Sequence, residues 1–562
     1  MNRVLAAFVL TGAFAAAGPG AQLPSPASNV PDRMFLNGRI WTGDPARPWA
    51  TALAVQGDVL IAVGSDGDVR PLIRRRTEVI DLKGRFVAPG FNDAHLHFLV
   101  IETVDLAQVW SVGEIQRLIR DYASAHKEKP WVVGRGWFYG AFPGGLPHRR
   151  MLDEAVPDRP AFMTGYDGHT GWANTRALAA AGITRDTPDP VGGVIVRDES
   201  GEPTGVLKET AQRLVRGLVP EPTDEERYQA LRRRLAQAAS YGLTSVQNAS
   251  FQAAELPVYE RVLAEGGLEV RVYWAVPFLK DAPAADLARF KALRARYRGP
   301  MIKFGAAKGF IDGVVESKTA AMFGDYVGGG GAGHLNWSDE DLLRTAALYD
   351  REGFQIFFHA IGDRAIDQAL RAFEHAAKVN GTSGRRHRIE HIEVPRLADL
   401  PRFKALGVVA STQALFANPD KNTLEVYAVN LGPERAARAM PFKSIDDAGV
   451  RQAFGSDSPV FSMETLTGIY AAATRTTPEG TPPGGWQPHE RISTEAALRH
   501  FTVDAAYTSF EEHRKGTLAA GKLADFVVLS DDILAPPAER VLRTKVLLTV
   551  MGGRDTFRAP EF

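Results

Sequence analysis

The chain reads as an α/β protein built on a (β/α)8 TIM barrel, with a flanking β-sandwich domain drawn from both chain ends and a large insertion after the first barrel strand. Three observations carry this reading. Through the middle of the chain, β-rich runs alternate with helical stretches and give eight strand candidates. Short apolar runs broken by Gly-Asp and Asp-Gly turns recur near both ends. Histidines and an aspartate stand at the C-terminal ends of several candidate strands, the end at which such barrels carry their sites.

In chain order, Met1-Asn2-Arg3 followed by the apolar run Val4 to Ala17 has the positive start and short greasy core of a secretory signal. Residues 1–17 are therefore expected to be cleaved and the protein exported, to the periplasm or outside the cell. The run is shorter than the ~20 residues a helix needs to cross the hydrocarbon, which argues against stable membrane insertion. Residues 18–32, rich in Pro and Ser, read as a linker. Residues 33–85, with runs such as Arg39-Ile40-Trp41-Thr42 and Val59 to Val63, read as a small antiparallel sheet, and 516–562, with Asp525 to Leu529 and Val546 to Val550, complete it as one sandwich.

The barrel is expected over 86–515, with strands at Phe86–Phe98, Gly242–Ala249, Leu268–Val276, Met301–Asp312, Phe354–Ala360, His387–Glu393, Gly407–Gln413 and Val450–Asp457. Between the first two lies the insertion 99–241, rich in Gly, Pro and aromatics. So long an excursion above a barrel strand reads as a lid or substrate wall.

At 562 residues the chain is long enough for one large domain and a smaller one. Lys+Arg and Asp+Glu each number 66, so no net charge draws it to nucleic acid or an anionic membrane, and a small molecule is the expected partner. Oligomeric state is not set by these features. The absence of cysteine rules out a disulfide or a lipid-modified cysteine and leaves nitrogen and oxygen as metal ligands.

His95 and His97 lie two apart in Asn92-Asp93-Ala94-His95-Leu96-His97, so on a strand both imidazoles point to one face. His359, His391 and Asp457 end three other apolar strands. Singly, each has an ordinary structural explanation: a histidine satisfied in the core, a helix start, a surface histidine, a cap before a proline. Together, at the tops of strands one, five, six and eight, they form a nitrogen and oxygen ligand set suited to zinc and its neighbours.

With these ligands the sequence resembles the amidohydrolase superfamily, and more closely its amidohydrolase-3 branch, which includes N-substituted formamide deformylases. The matching segments are Trp131-Val132-Val133-Gly134-Arg135-Gly136-Trp137, Asp167 to Asn174, Gly201 to Glu209, Asp312-Gly313, Gly455 to Pro459 and Gly521 to Asp525. The resemblance runs from about residue 34 to the end. It implies one or two divalent ions on His95, His97, His359, His391 and Asp457. It also implies a carbamylated lysine on the fourth strand, bridging two metals. Lys303 and Lys308 are the candidates; five apart, they would face opposite sides of a regular strand, and the family spacing Lys-x-x-x-Asp-Gly selects Lys308. Glu209, in the family-like Gly205-Val206-Leu207-Lys208-Glu209 stretch, is the other carboxylate that could complete the site.

The implied activity is hydrolysis of a carbon–nitrogen bond, in an amide, N-acyl amine or N-formyl amine, by metal-activated water. Asp457 would carry the proton to the leaving nitrogen, and His169 would bind substrate or stabilise the oxyanion. Trp137, Tyr166, Trp172 and Phe416 suggest an aromatic substrate pocket, or else the insertion's own core. Competing readings are a one-metal cyclic amidine deaminase, a lactonase or esterase on the same barrel, and a non-catalytic exported binding protein.

Overall fold

The computed structural model describes residues 30–107, 109–381 and 384–562. The expected signal segment 1–17 lies outside the described residues, as does most of the expected linker 18–32.

At the centre, eight strands run parallel in chain order: Phe91–Leu96, Leu243–Asn248, Arg271–Pro277, Ile302–Phe310, Gln355–Ala360, Arg388–His391, Val409–Gln413 and Gln452–Gly455. They are called here the first to the eighth barrel strands, and each falls within or beside an expected run. The ring closes between the eighth and the first. Gly455 allows that contact, because a Cβ there would stand 2.5 Å from the His95 backbone nitrogen. Just beyond it, Asp457 N donates to His95 O at 2.7 Å and His97 N to Ser458 O at 2.6 Å.

The surrounding helices begin and end where their sequences say. Asp224–Ser240 starts on a capping box between Thr223 and Glu226, and Asp363–Asn380 stops at Gly381, whose φ of 62° suits a glycine C-cap. Their apolar faces pack on the outer faces of the strands in one core that includes Trp274, Phe304, Phe358 and Phe373.

The run Phe86–Phe98, read as one strand, is two. Phe86–Pro89 pairs with Arg39–Trp41 and Phe526–Leu529 in a six-stranded sheet, and the barrel strand starts after Gly90. A Cβ at Gly90 would come within 2.3 Å of the Thr244 side chain, so the chain passes from one sheet to the other through a gap only glycine fits. The six-stranded sheet joins both chain ends and packs on a four-stranded sheet of Val59–Gly64, Ala52–Gln56, Arg33–Leu36 and Glu78–Asp81. Phe35, Leu53, Phe526 and Leu548 are buried between them.

Residues 99–241 carry a sheet of their own, from Gly193–Arg197 across Pro203–Glu209, Thr170–Ala173, Ala161–Gly165 and Val132–Trp137 to Val104–Asp105. Trp137, Tyr139, Phe142 and Trp172 fill its core. This corrects the expectation that Trp137 and Trp172 face substrate: both are 0% exposed, and the Trp137 indole donates inward to Met163 O at 3.1 Å. A segment of this length must bury apolar surface of its own, and the tryptophans do that. Among the described residues no helix is long and apolar enough to cross a membrane.

Candidate metal centre

The C-terminal ends of the barrel strands open into a cleft of about 1320 Å³ lined by His97, Lys308, His359, His391 and Asp457 among others. His95 lies beneath its floor, fully buried. The first strand's alternation brings both of its imidazoles to the eighth: His95 Nε2 and His97 Nε2 stand 3.4 and 3.2 Å from Asp457 Oδ1. That oxygen is buried and takes part in no hydrogen bond. Donor atoms of His95, His391 and Asp457 all lie within 4.8 Å of one another.

The other ring nitrogens are occupied, which fixes each imidazole. His95 Nδ1 donates to Glu390 Oε2 at 2.5 Å, and Arg388 holds the same carboxylate with contacts of 2.8 and 2.9 Å. His391 Nδ1 donates to Gln413 Oε1 at 2.8 Å and His359 Nε2 to Gly313 O at 3.1 Å. Each ring therefore keeps one lone-pair nitrogen, His95 and His391 at Nε2 and His359 at Nδ1.

Burial disfavours the charged form of His391, down to about 3, and of His359, well below the usual histidine range. Both are neutral and ready to ligate. Burial also works against the Asp457 charge, but His95 and His97 outweigh it and hold the carboxyl well below its ordinary value. The neutral imidazoles of His359 and His391, together with His95, His97 and the bare carboxylate oxygen of Asp457, are a nitrogen and oxygen donor set that fits a divalent metal.

Strained backbone aims two of these groups. Alternation along Arg388-Ile389-Glu390-His391 puts Arg388 and Glu390 inside the barrel and would turn His391 outward. φ values of 77° at His391 and 54° at Ile392 bring it back to the cleft. Asp457 has φ of 55° and Glu209 of 50°. Left-handed backbone at non-glycine residues is held only where the surroundings enforce it, and it gathers at functional sites.

The fourth strand corrects the facing argument for its lysines. Pairing with the third strand passes from Trp274–Phe304 to Ala275–Ala306 and skips Gly305, a bulge that shifts the alternation by one. Lys303 and Lys308 thus share the inner face at opposite ends of the barrel. Lys303 Nζ donates to Ser509 O at 2.5 Å, far from the cleft. Lys308 Nζ lies 3.4 Å from His95 Nε2 and 4.7 Å from the centre of the Phe310 ring, and burial lowers its pKa to about 8.

The insertion supplies part of the cleft wall. His169 Nδ1 donates to Glu209 Oε2 at 2.9 Å, and Thr319 Oγ1 donates to Glu209 Oε1 at 2.6 Å. Burial opposes the His169 charge, but Glu209 outweighs it and raises the imidazole to about 9. The His169 and His359 rings are 5.1 Å apart, so this cation borders the candidate ligands. Tyr166 and Phe416 also line the cleft, Phe416 stacked over His391 with ring centres 6.0 Å apart.

Sequence reasoning missed Glu390, Arg388, Gln413 and Glu316. Arg388 and Glu390 carried a signal, two charges at i and i+2 in an otherwise apolar strand, the pattern of a buried pair. Gln413 and Glu316 carried none, being placed only by the fold.

Four likenesses bear on this geometry. The sequence profile of a family described as the amidohydrolase family matches residues 78–557. Protein LONG AFTER FAR-RED 3 of Arabidopsis thaliana is 33% identical over 553 residues, covering 95% of this chain and 93% of that one. N-substituted formamide deformylase of Arthrobacter pascens is 28% identical over 542 residues, covering 93% and 97%. Among solved structures, an uncharacterized metal-dependent hydrolase from Pyrococcus horikoshii OT3 superposes with a TM-score of 0.70 at 25% identity, covering 90% of this chain and 98% of that one.

Proposed function

The chain belongs to the amidohydrolase family, in its amidohydrolase-3 branch, as a hydrolase of carbon–nitrogen bonds that uses a divalent metal, and on that premise we propose that it hydrolyses an N-acyl or N-formyl amine with zinc at the centre described above. The observation that carries this is Asp457 Oδ1, an ionised, buried oxygen with no hydrogen bond between two imidazole nitrogens. The likeness to an N-substituted formamide deformylase supports the substrate class.

When bound, the metal supplies the Lewis acid that polarises the amide carbonyl and makes water acidic enough to attack near neutral pH. His95, His97, His359, His391 and Asp457 would hold it. Asp457 takes the proton of the attacking water and passes it to the leaving nitrogen, whose departure as an anion would be slow. His169, kept cationic by Glu209, offers its Nε2–H to the carbonyl oxygen as charge develops there. Lys308, whose lowered pKa leaves part of the amine neutral, would as its carbamate with CO2 offer carboxylate oxygens as a further ligand if a second ion is held. A one-ion site is the second reading, favoured by the donor atoms within 4.8 Å coming from His95, His391 and Asp457 alone among the described residues.

Arg3 and the apolar run Val4 to Ala17 support export with loss of the signal. Intact mass of exported protein starting beyond residue 17 is the expected result, and a chain that still begins at Met1 would refute it.

The decisive experiment incubates zinc-loaded protein with N-formyl amines, N-acyl amines, cyclic amidines and lactones, and identifies the products. Amine and free acid in equal amounts are expected. Ammonia from amidines alone, or turnover of lactones alone, would replace this reading with one of its rivals.

A further inference from the structure

One wall of the cleft carries two acidic side chains that lack a basic partner among the described residues. From the metal centre, rings lead outward: Phe416 lies over His391, Phe461 is 5.2 Å from Phe416, and Tyr166 is 6.0 Å from Phe461. At the end of this path stands Glu316. Its Oε1 receives the Tyr166 hydroxyl and, at 3.2 Å, Asn422 Nδ2. Glu393 also lines the cleft, and burial, with Glu316 adding to it, disfavours the charge of its carboxyl until a cation is bound. Among the described residues neither has a basic side chain against it, unlike Glu390 with Arg388 or Glu209 with His169.

A second observation is independent of the carboxylates. Asn422 lines the same cleft, is only 2% exposed, and its Oδ1 has no hydrogen-bond partner. A buried carbonyl oxygen left bare is a standing penalty unless a ligand supplies the hydrogen. Two carboxylates without a counter-ion, a bare amide oxygen and the faces of aromatic rings share one complement, a desolvated cation with N–H groups. The carboxylates neutralise it, the amide oxygen accepts from it, and the rings attract it through their negative faces.

We propose that this wall binds the ammonium group of the substrate, so that the amide cleaved at the metal centre is an N-acyl amine carrying a second, protonated amino group. The substrate lies along the rings of Phe416 and Phe461, its amide toward Asp457 and its ammonium between Glu316, Glu393 and Asn422. This deepens the amide-hydrolase reading and rests on it for the position of the reacting bond. The cation site itself is testable without turnover.

Calorimetric titration of zinc-loaded protein compares n-hexylammonium with n-hexanol, which has the same chain and no charge. The ammonium is expected to bind at least tenfold more tightly, and Glu316→Gln to reduce that preference at least fivefold. Phe461→Leu, which removes a ring face and no charge, should reduce it as well and keeps the test open should Glu316→Gln fail to fold. In kinetics, the ratio of kcat/KM for N-formyl-1,6-diaminohexane over N-formylhexylamine should be at least ten and should fall in the same variants. Absence of a preference in the native protein, or a preference unchanged in both folded variants, would overturn the site. Turnover of neither formamide would sink the amide-hydrolase reading instead, while the titration still decides the cation site.

Discussion

The two ends of the barrel interior are both lined with buried charge, and they treat it in opposite ways. At the N-terminal end, Lys515 Nζ donates to Ser245 Oγ at 2.9 Å and pairs with Glu511 at 2.9 Å, while Lys303 is held by Ser509 O and stands over the Tyr273 ring. In the middle, Arg388 spends its donors on Glu390, Gln247, Ala94 O and Ser411. At the C-terminal end, Asp457 Oδ1 has no hydrogen bond, and Lys308 has an imidazole nitrogen for a neighbour. Burial alone therefore does not mark function. A satisfied buried charge holds the structure together, and an unsatisfied one awaits a ligand.

Substitution at each end tests this contrast. The largest effect is expected at Asp457→Asn, which keeps an oxygen for the metal but cannot take a proton: kcat should fall by ~10²–10⁴ while metal content stays near the native level. Near-normal turnover would reduce Asp457 to a turn residue. At the other end, Lys515→Met leaves Glu511 buried with only Lys303 and Ser509 to support its charge and should destabilise the fold, by at most about 3–5 kcal/mol in urea titration, with kcat per folded molecule unchanged. Lost activity at full stability there would erase the distinction between the ends.

The two lysines on one strand sharpen it further. Lys308→Ala should lower the metal count per chain from two to one, with partial recovery of activity in added propionate, whereas Lys303→Met should leave the count unchanged. Equal metal counts in both variants would remove Lys308 from the site. The smallest effect concerns pH. The folded state raises His169 from an ordinary 6.5 to about 9, so the stability from its pairing with Glu209 is fully present below about 6.5 and fades as pH rises through about 9. Thermal melting of His169→Gln should lack that alkaline loss, and a melting profile identical to the native one would show that the pair contributes nothing.

The barrel strands were legible because they are short, mostly apolar runs, four of them with a histidine or aspartate at the C-terminal end, and His95 and His97 because strand alternation is local. What was lost depended on departures from regularity. The Gly305 bulge put Lys303 and Lys308 on one face, where simple parity had set them apart. Left-handed φ at His391 turned inward a residue that parity sends out. Pro89-Gly90 split one apolar run between two sheets. Trp137 and Trp172 look the same in sequence as Tyr166 and Phe416, and only the insertion's own sheet decides which pair is core and which is wall. The Glu316, Glu393 and Asn422 wall joins loops far apart in the chain and had no local sign.

The contact at Gly455 has a consequence for how accurately the centre is made. With no side chain between them, the first and eighth strands meet backbone to backbone, 2.5 Å from where a Cβ would lie, and His95 and Asp457 are both carried on that junction. Their spacing is gauged from a hard stop, as two machined parts are gauged from one datum face, so thermal play in the side chains does not accumulate across the ring. Any residue larger than glycine at 455 acts as a shim that moves the carboxylate bodily away from the imidazoles, and the tolerance of the whole centre is set by a residue that never touches the substrate.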